Sequence, residues 1–249
     1  MEKTIVDEIE VEIHRNYYET GELNQEWLQT TYELHGYHKT FYKNGQLKEY
    51  VEYRKNKWFG VDNRYFENGK IEQKVTQLND SLYLNEAWFS NGNKRHEFNQ
   101  NNNRQRVGNE TVWFENGNLK LQIIYSDSLH FNGDYLTYYE DGKLQLKAIY
   151  EDGVFRVVDF YTIDGLKTLS KGDGFIETYQ NDKLQKFDNY KNGLRNGICK
   201  IYSPPGTLRN EGNFVDGKSN GKSIWYKPTG DIEEIIYMIN DVMTHREKY

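Results

Sequence analysis

The chain has 249 residues, only 36% of them hydrophobic, yet 15% are aromatic. No stretch approaches the ~18 apolar residues of a membrane-spanning helix. A net charge of −6 without a basic run speaks against nucleic acid, which is held by clustered Lys and Arg. The single cysteine, Cys199, excludes an internal disulfide and suits a reducing compartment, so a soluble, cytoplasmic protein is expected.

The first stretch, IVDEIEVEIHR, alternates apolar and polar residues, and five acids fall within the first twelve positions. That is the pattern of a strand and not of a secretory signal. Residues 1–16 are expected to form a capping strand. Glu8, Glu10 and Glu12 would share one face of it, where acids discourage edge-to-edge pairing.

From residue 17 the chain repeats a phrase: YYETGEL, FYKNGQLK, YFENGKIE, WFSNGNKR, WFENGNLK, YYEDGKLQ, YTIDGLK, TYQNDKLQ, YSPPGTLR and YKPTGDIE. The turn positions are Gly21, Gly45, Gly69, Gly92, Gly117, Gly142, Gly165, Asp182, Gly206 and Gly230. Their spacings are 24, 24, 23, 25, 25, 23, 17, 24 and 24. Three residues before the turn position stand Tyr18, Tyr42, Phe66, Phe89, Phe114, Tyr139 and Tyr179. Tyr161, Tyr202 and Tyr226 come one residue earlier, as if those turns had grown by one. A second glycine column runs through Gly36, Gly60, Gly108, Gly133, Gly174, Gly197 and Gly221.

Alternation of period two, without a 3.6 period, makes each unit a β-hairpin. Asn-Gly and Asp-Gly supply the positive φ of a tight turn. Each unit then holds two strands of roughly 6 residues, one tight turn, and a looser return carrying the second glycine column. Ordering a hairpin costs about 1–2 kcal/mol per residue, and burying a large side chain returns only about 1.5–3 kcal/mol. Each unit must therefore lean on its neighbours. The expected fold is an all-β, elongated, twisted, single-layer antiparallel meander of about ten hairpins. Residues 1–249 would be one repeat domain, with hairpins over 17–235 and a C-terminal cap over 236–249. Twenty strands would span about 95 Å. A β-propeller would need a period of about 40–50 residues, and no double-length period is visible.

Two registers are compatible with the turn. A type I′ turn at Asn116-Gly117 sets Phe114 opposite Leu119; a type I turn with a glycine bulge sets Trp113 there instead. The polar residue before Asn favours the bulge slightly.

The segment YKNGLRNGICKIYSPPGTLRNEGNFVDGKSNGKSIWYKPTGDIEE resembles the MORN-repeat-variant family. The resemblance is best over 190–235, good over 36–75 and 108–152, and weaker around 76–107 and 154–182. It implies a repeat fold without catalytic residues, cofactor or metal. Many bacterial proteins of this type are labelled antitoxin components, which implies neutralisation of a toxin by binding. Others use the repeats for protein scaffolding or membrane-lipid contact, although no basic strip is present to attract anionic lipid.

The residues read as partner-binding are Trp58, Trp88, Trp113 and Trp225, since Trp and Tyr on an open sheet face dominate binding energy. Trp27 is placed in the first long return. The aromatic face also raises the alternative of a carbohydrate-binding surface. His35 and His38, three apart on a strand, should face opposite ways and hold no metal; His14, His96, His130 and His245 have no partner in spacing. Cys199 reads as a small buried residue. FNQNNNRQRVGN at 98–109 reads as a loop between strands.

Overall fold

A computed structural model describes residues 2–125, 133–203 and 206–249. Its described residues contain 23 strands and no helix, so the fold is all-β. Two compact units divide at residue 130.

The first unit runs through β1 (Lys3–Val6), β2 (Ile9–Tyr17), β3 (Leu23–Gln29), β4 (Leu34–Phe41), β5 (Leu47–Arg54) and β6 (Lys57–Tyr65). It continues through β7 (Ile71–Asn79), β8 (Leu82–Trp88), β9 (Lys94–Asn101), β10 (Arg106–Trp113) and β11 (Leu119–Tyr125). Each strand pairs antiparallel with the next. The second unit comprises β12 (Gly133–Tyr138), β13 (Leu144–Glu151), β14 (Val154–Tyr161), β15 (Lys167–Ser170), β16 (Asp173–Gln180) and β17 (Lys183–Lys191). β18 (Leu194–Arg195), β19 (Gly197–Ser203), β20 (Thr207–Val215), β21 (Lys218–Tyr226), β22 (Ile232–Ile239) and β23 (Val242–Lys248) complete it. It is again an antiparallel meander.

The glycine turn adopts the bulged form. The Phe114 N–H donates to the Asn118 carbonyl at 2.8 Å, and the Gly117 N–H donates to the Phe114 carbonyl at 3.0 Å. Gly117 has φ 90°, and Trp113 lies opposite Leu119. The same bond pair recurs at Tyr18, Tyr42, Phe66, Phe89, Tyr139, Thr162 and Lys227. The loops before Gly165 and Gly230 have therefore not grown. Thr162, Ser203 and Lys227 fill the turn position, and Tyr161, Tyr202 and Tyr226 pair with Lys167, Leu208 and Ile232. Among the fully described turns, the one at Asp182 differs in type: Asn181 (φ 50°) and Asp182 (φ 57°) close a two-residue turn.

Several of the returns are tight rather than loose. Lys55-Asn56, Asp152-Gly153, Asn192-Gly193 and Asp216-Gly217 all have positive φ at both central residues, the mirror-image turn that matches strand twist. The second glycine column sits inside the following strand. Gly60 (φ 82°) falls where the register shifts between the pairs Trp58–Tyr53 and Asp62–Val51, which is a glycine-assisted bulge. At Gly36 (φ 109°) an added Cβ would lie 2.8 Å from Leu28 Cδ1, and Leu28 is one of the most buried side chains.

The N-terminal end departs from the expected single capping strand. Asp7 (φ 51°) and Glu8 (φ 67°) reverse the chain, so residues 3–17 form a hairpin and Glu8 is in its turn. Glu10 and Glu12 lie on β2, where Glu10 pairs with β1 and Glu12 with both β1 and β3, so β2 is not the free edge strand. Asn240-Asp241 likewise makes the C-terminal segment the hairpin β22–β23. The stretch 98–109 is a hairpin too. Asn101 Oδ1 accepts from the N–H groups of Asn103 and Gln105, and Arg104 takes the left-handed position at φ 61°.

Adjacent hairpins are tied at their turns. Tyr18 Oη donates to the Phe41 carbonyl at 2.7 Å, Tyr42 to Tyr65 at 2.7 Å, and Tyr139 to Tyr161 at 2.8 Å. Turn asparagines act in parallel: Asn44 Nδ2 reaches the Glu67 carbonyl at 3.1 Å and Asn91 Nδ2 the Glu115 carbonyl at 3.0 Å.

The 17-residue step has a local consequence. β15 is only four residues long, and the turns at Gly172 and Gly193 close over β14. The Val157 N–H donates to the Gly193 carbonyl, Gly193 to Gly172, and Gly172 to Val158, at 2.8–2.9 Å. Beneath them lies a core of Val157, Phe160 and Leu169, flanked by Leu146, Ile176 and Tyr190.

Candidate binding surface

Residues directly opposite one another in an antiparallel pair share a face. In the first unit this builds a row along one face. It begins His14, Trp27, His38, Val51 and Asp62. It goes on through Val75, Asn85, Phe98, Glu110 and Ile123. First strands of successive hairpins contribute the polar members; second strands contribute Trp27, Val51, Val75, Phe98 and Ile123. His14 stacks on Trp27 at 5.4 Å, and Trp27 meets His38 at 6.2 Å. Trp27 is thus a β3 strand residue at the start of this row, not a residue of a return.

The polar members are half-buried or buried. Burial raises the Asp62 carboxyl above its ordinary range and lowers His38, since each loses the solvation of its charged form. Burial would also raise Glu110, but hydrogen bonds from His96 and Tyr125, both at 2.6 Å, and the charge of Arg106 hold it below the ordinary range. Arg106 also stacks on Phe98, 3.2 Å from the ring centre.

The opposite face carries an ionic row. Arg15 Nε pairs with Glu26 at 2.8 Å, Tyr37 Oη donates to Glu26 at 2.8 Å, and Lys94 bridges Glu86 and Glu97. Such exposed pairs contribute little each.

The four tryptophans do not form one column. Trp58 pairs with Tyr53 and lies 5.5 Å from Tyr83. Trp88 and Trp113 occupy the place four residues before the turn glycine, opposite Lys94 and Leu119, and Lys94 Nζ lies 5.8 Å from each ring. Trp225 belongs to the second unit, between Asn210 and Glu234. All four are half-buried rather than open. The place held by Trp88 and Trp113 is aromatic in every unit: Tyr17, Phe41, Tyr65, Tyr138, Tyr161, Tyr179, Tyr202 and Tyr226 complete the column.

His35 and His38 are not brought together. His35 is buried, 3.7 Å from Asp7, and His38 lies in the row. His130 falls outside the described residues. Among the described residues, no group of three His, Cys, Asp or Glu side chains is arranged to hold a metal. Cys199 is buried opposite Gly212, and burial pushes its thiol up to about 11, which leaves it unreactive.

Two adjoining depressions mark this face. One, about 250 Å³, holds Asp62, Asn85 and Phe98; the other, about 400 Å³, holds Trp58, Tyr83 and Arg104; both share Asp62 and Val75. Asp62, Asn85 and Arg104 are absent from the sequence-derived candidates. They carry a signal all the same. His14, His38, Asp62, Asn85 and Glu110 recur at the repeat period, a further column, without Arg104, hidden because its members share polarity and not identity.

Four segments, residues 34–55, 63–79, 106–127 and 131–152, match the family model described as MORN repeat variant. Each contains one bulged glycine turn, at Gly45, Gly69, Gly117 or Gly142. These four segments of the chain are thus similar to MORN repeat variants. Residues 190–235 lie outside the matched segments. No curated protein matches the chain.

Proposed function

We propose that this chain is a non-enzymatic interaction protein that binds a protein partner, in the sharpest form a toxin that it neutralises in the cytoplasm. The continuous row of half-buried aromatic and polar side chains across β2–β11 carries this reading. Large rigid aromatics with polar tips anchor protein interfaces. The buried, lone Cys199 is consistent with a reducing compartment. Trp58, Trp88, Trp113 and Trp225 are taken as anchors. No helix of the described residues is long and apolar enough to cross a membrane.

Affinity capture from the native cell tests the reading. A partner should co-purify with the wild-type chain, and Trp58→Ala with Phe98→Ala, on the face of the row, should reduce its recovery several-fold. Absence of any partner above background, or a partner indifferent to all four tryptophans, contradicts it. Co-expression with the adjacent open reading frame tests the toxin version: the neighbour should arrest growth alone and not with this chain.

A further inference from the structure

We propose that the groove centred on Asp62 binds an acidic, extended segment of a protein partner, with carboxylates flanking an apolar side chain. The inference rests on the protein-binding reading above and names the partner's chemistry.

Charge points to this occupant. The chain carries −6 overall, yet Arg64, Arg95 and Arg104 line the two depressions with Asp62, while Lys74 and Glu86, which also border them, pair across the opposite face. Glu86 is tied to Lys94 at 2.9 Å and Arg64 to Glu49 at 3.1 Å. Arg95 and Arg104 have no carboxylate partner among the described residues. A local reversal of charge sign selects an oppositely charged ligand.

Hydrogen-bonding capacity points the same way. The Trp58 indole N–H and the Asn85 amide nitrogen are buried without a partner. Both are donors, so the ligand should supply acceptors, as carboxylates and peptide carbonyls do. Asp62 supplies the one complementary demand. Its under-solvated carboxylate gains from a donor, and an extended peptide offers backbone N–H groups beside its carbonyls. A phosphodiester backbone offers acceptors only and leaves the Asp62 carboxylate without a donor. Trp58, Tyr83 and Phe98 give an apolar side chain its walls.

The test is titration of the full chain with two short capped peptides, one alternating glutamate with phenylalanine or leucine, the other its lysine-for-glutamate counterpart. Tryptophan emission and calorimetry report binding at low salt. The acidic peptide should bind and the basic one should not. Arg95→Glu with Arg104→Asn should weaken binding by at least about tenfold. Asparagine keeps the left-handed backbone at 104 tolerable. Both positions are exposed, and an unchanged denaturation curve confirms folding; Arg95→Ala alone serves as a milder variant. Equal binding of the two peptides, no binding of either, or a double variant within twofold of wild type overturns the proposal. So does tighter binding, through the same arginines, of a single-stranded oligonucleotide or of vesicles of phosphatidylserine and phosphatidylcholine. If the double variant still captures the native partner as wild type does, the groove assignment fails while the interaction reading stands.

Discussion

Gly172 and Gly193 show what a repeat position means when the repeat is broken. An added Cβ at Gly172 would sit 2.5 Å from the Gly193 nitrogen, whereas one at Gly230 meets nothing within 4 Å. Both have positive φ, 88° and 93°, so both substitutions incur the left-handed penalty of about 1–2 kcal/mol. Only Gly172→Ala must also push two backbones apart. Urea denaturation should show Gly172→Ala destabilised by at least ~2 kcal/mol more than Gly230→Ala. Glu110 makes a second residue-scale prediction. Its folded pKa lies below the unfolded value, so its contribution is present above pH ~4.5 and is lost as pH falls through the folded pKa. Glu110→Gln should flatten the decline of stability between pH ~4.5 and more acid values. An unchanged acid limb would count against the His96–Glu110–Tyr125 cluster. Glycines were legible in the sequence as turn formers because turn chemistry is local. The contact of Gly172 with Gly193 was not, since it joins turns 21 residues apart in sequence.

At the level of the hairpin, the glycine turn and its bulge were readable from the polar residue preceding Asn-Gly. The tight returns were not. The chemistry of Lys55-Asn56 looks unremarkable in sequence, and the more conspicuous Gly60 drew the turn toward itself. Gly60 is required four residues on, where the strand bulges. The N-terminal reading failed for a related reason. Period-two alternation continues through Asp7-Glu8, and only the backbone reveals that these two residues turn. The tie between hairpins is the element's main device. A tyrosine hydroxyl at one turn reaches the carbonyl of the aromatic four residues before the next turn glycine. Removing it by Tyr42→Phe or Tyr139→Phe should cost about 0.5–1.5 kcal/mol each. The two sites share no partner, so the double variant should be additive within about 0.5 kcal/mol. Chemical denaturation measures both.

Within each unit, the described strands pair with their immediate neighbours in sequence, apart from the contacts of β14 with the turns at Gly172 and Gly193 and the β17–β19 pairing. Stability then accumulates unit by unit rather than in one core. Calorimetric enthalpy should exceed the van't Hoff enthalpy. Amides of β1 and β23, each paired on one side only among the described strands, should exchange fastest. A single sharp transition with uniform protection would contradict this. The repeat period foretold the architecture because it depends on regular positions. The candidate groove depends on Asp62, Asn85 and Arg104, which vary from unit to unit, and variation is invisible to a search for likeness.

The tyrosine ties also bear on heredity. A module that finishes its neighbour's hydrogen bonds can be copied or excised in register without new chemistry. Gene length thus becomes a tunable trait, changing in steps of some two dozen codons. The shortened interval between Gly165 and Asp182 is where that register breaks, and there Gly172 and Gly193 meet to close the gap.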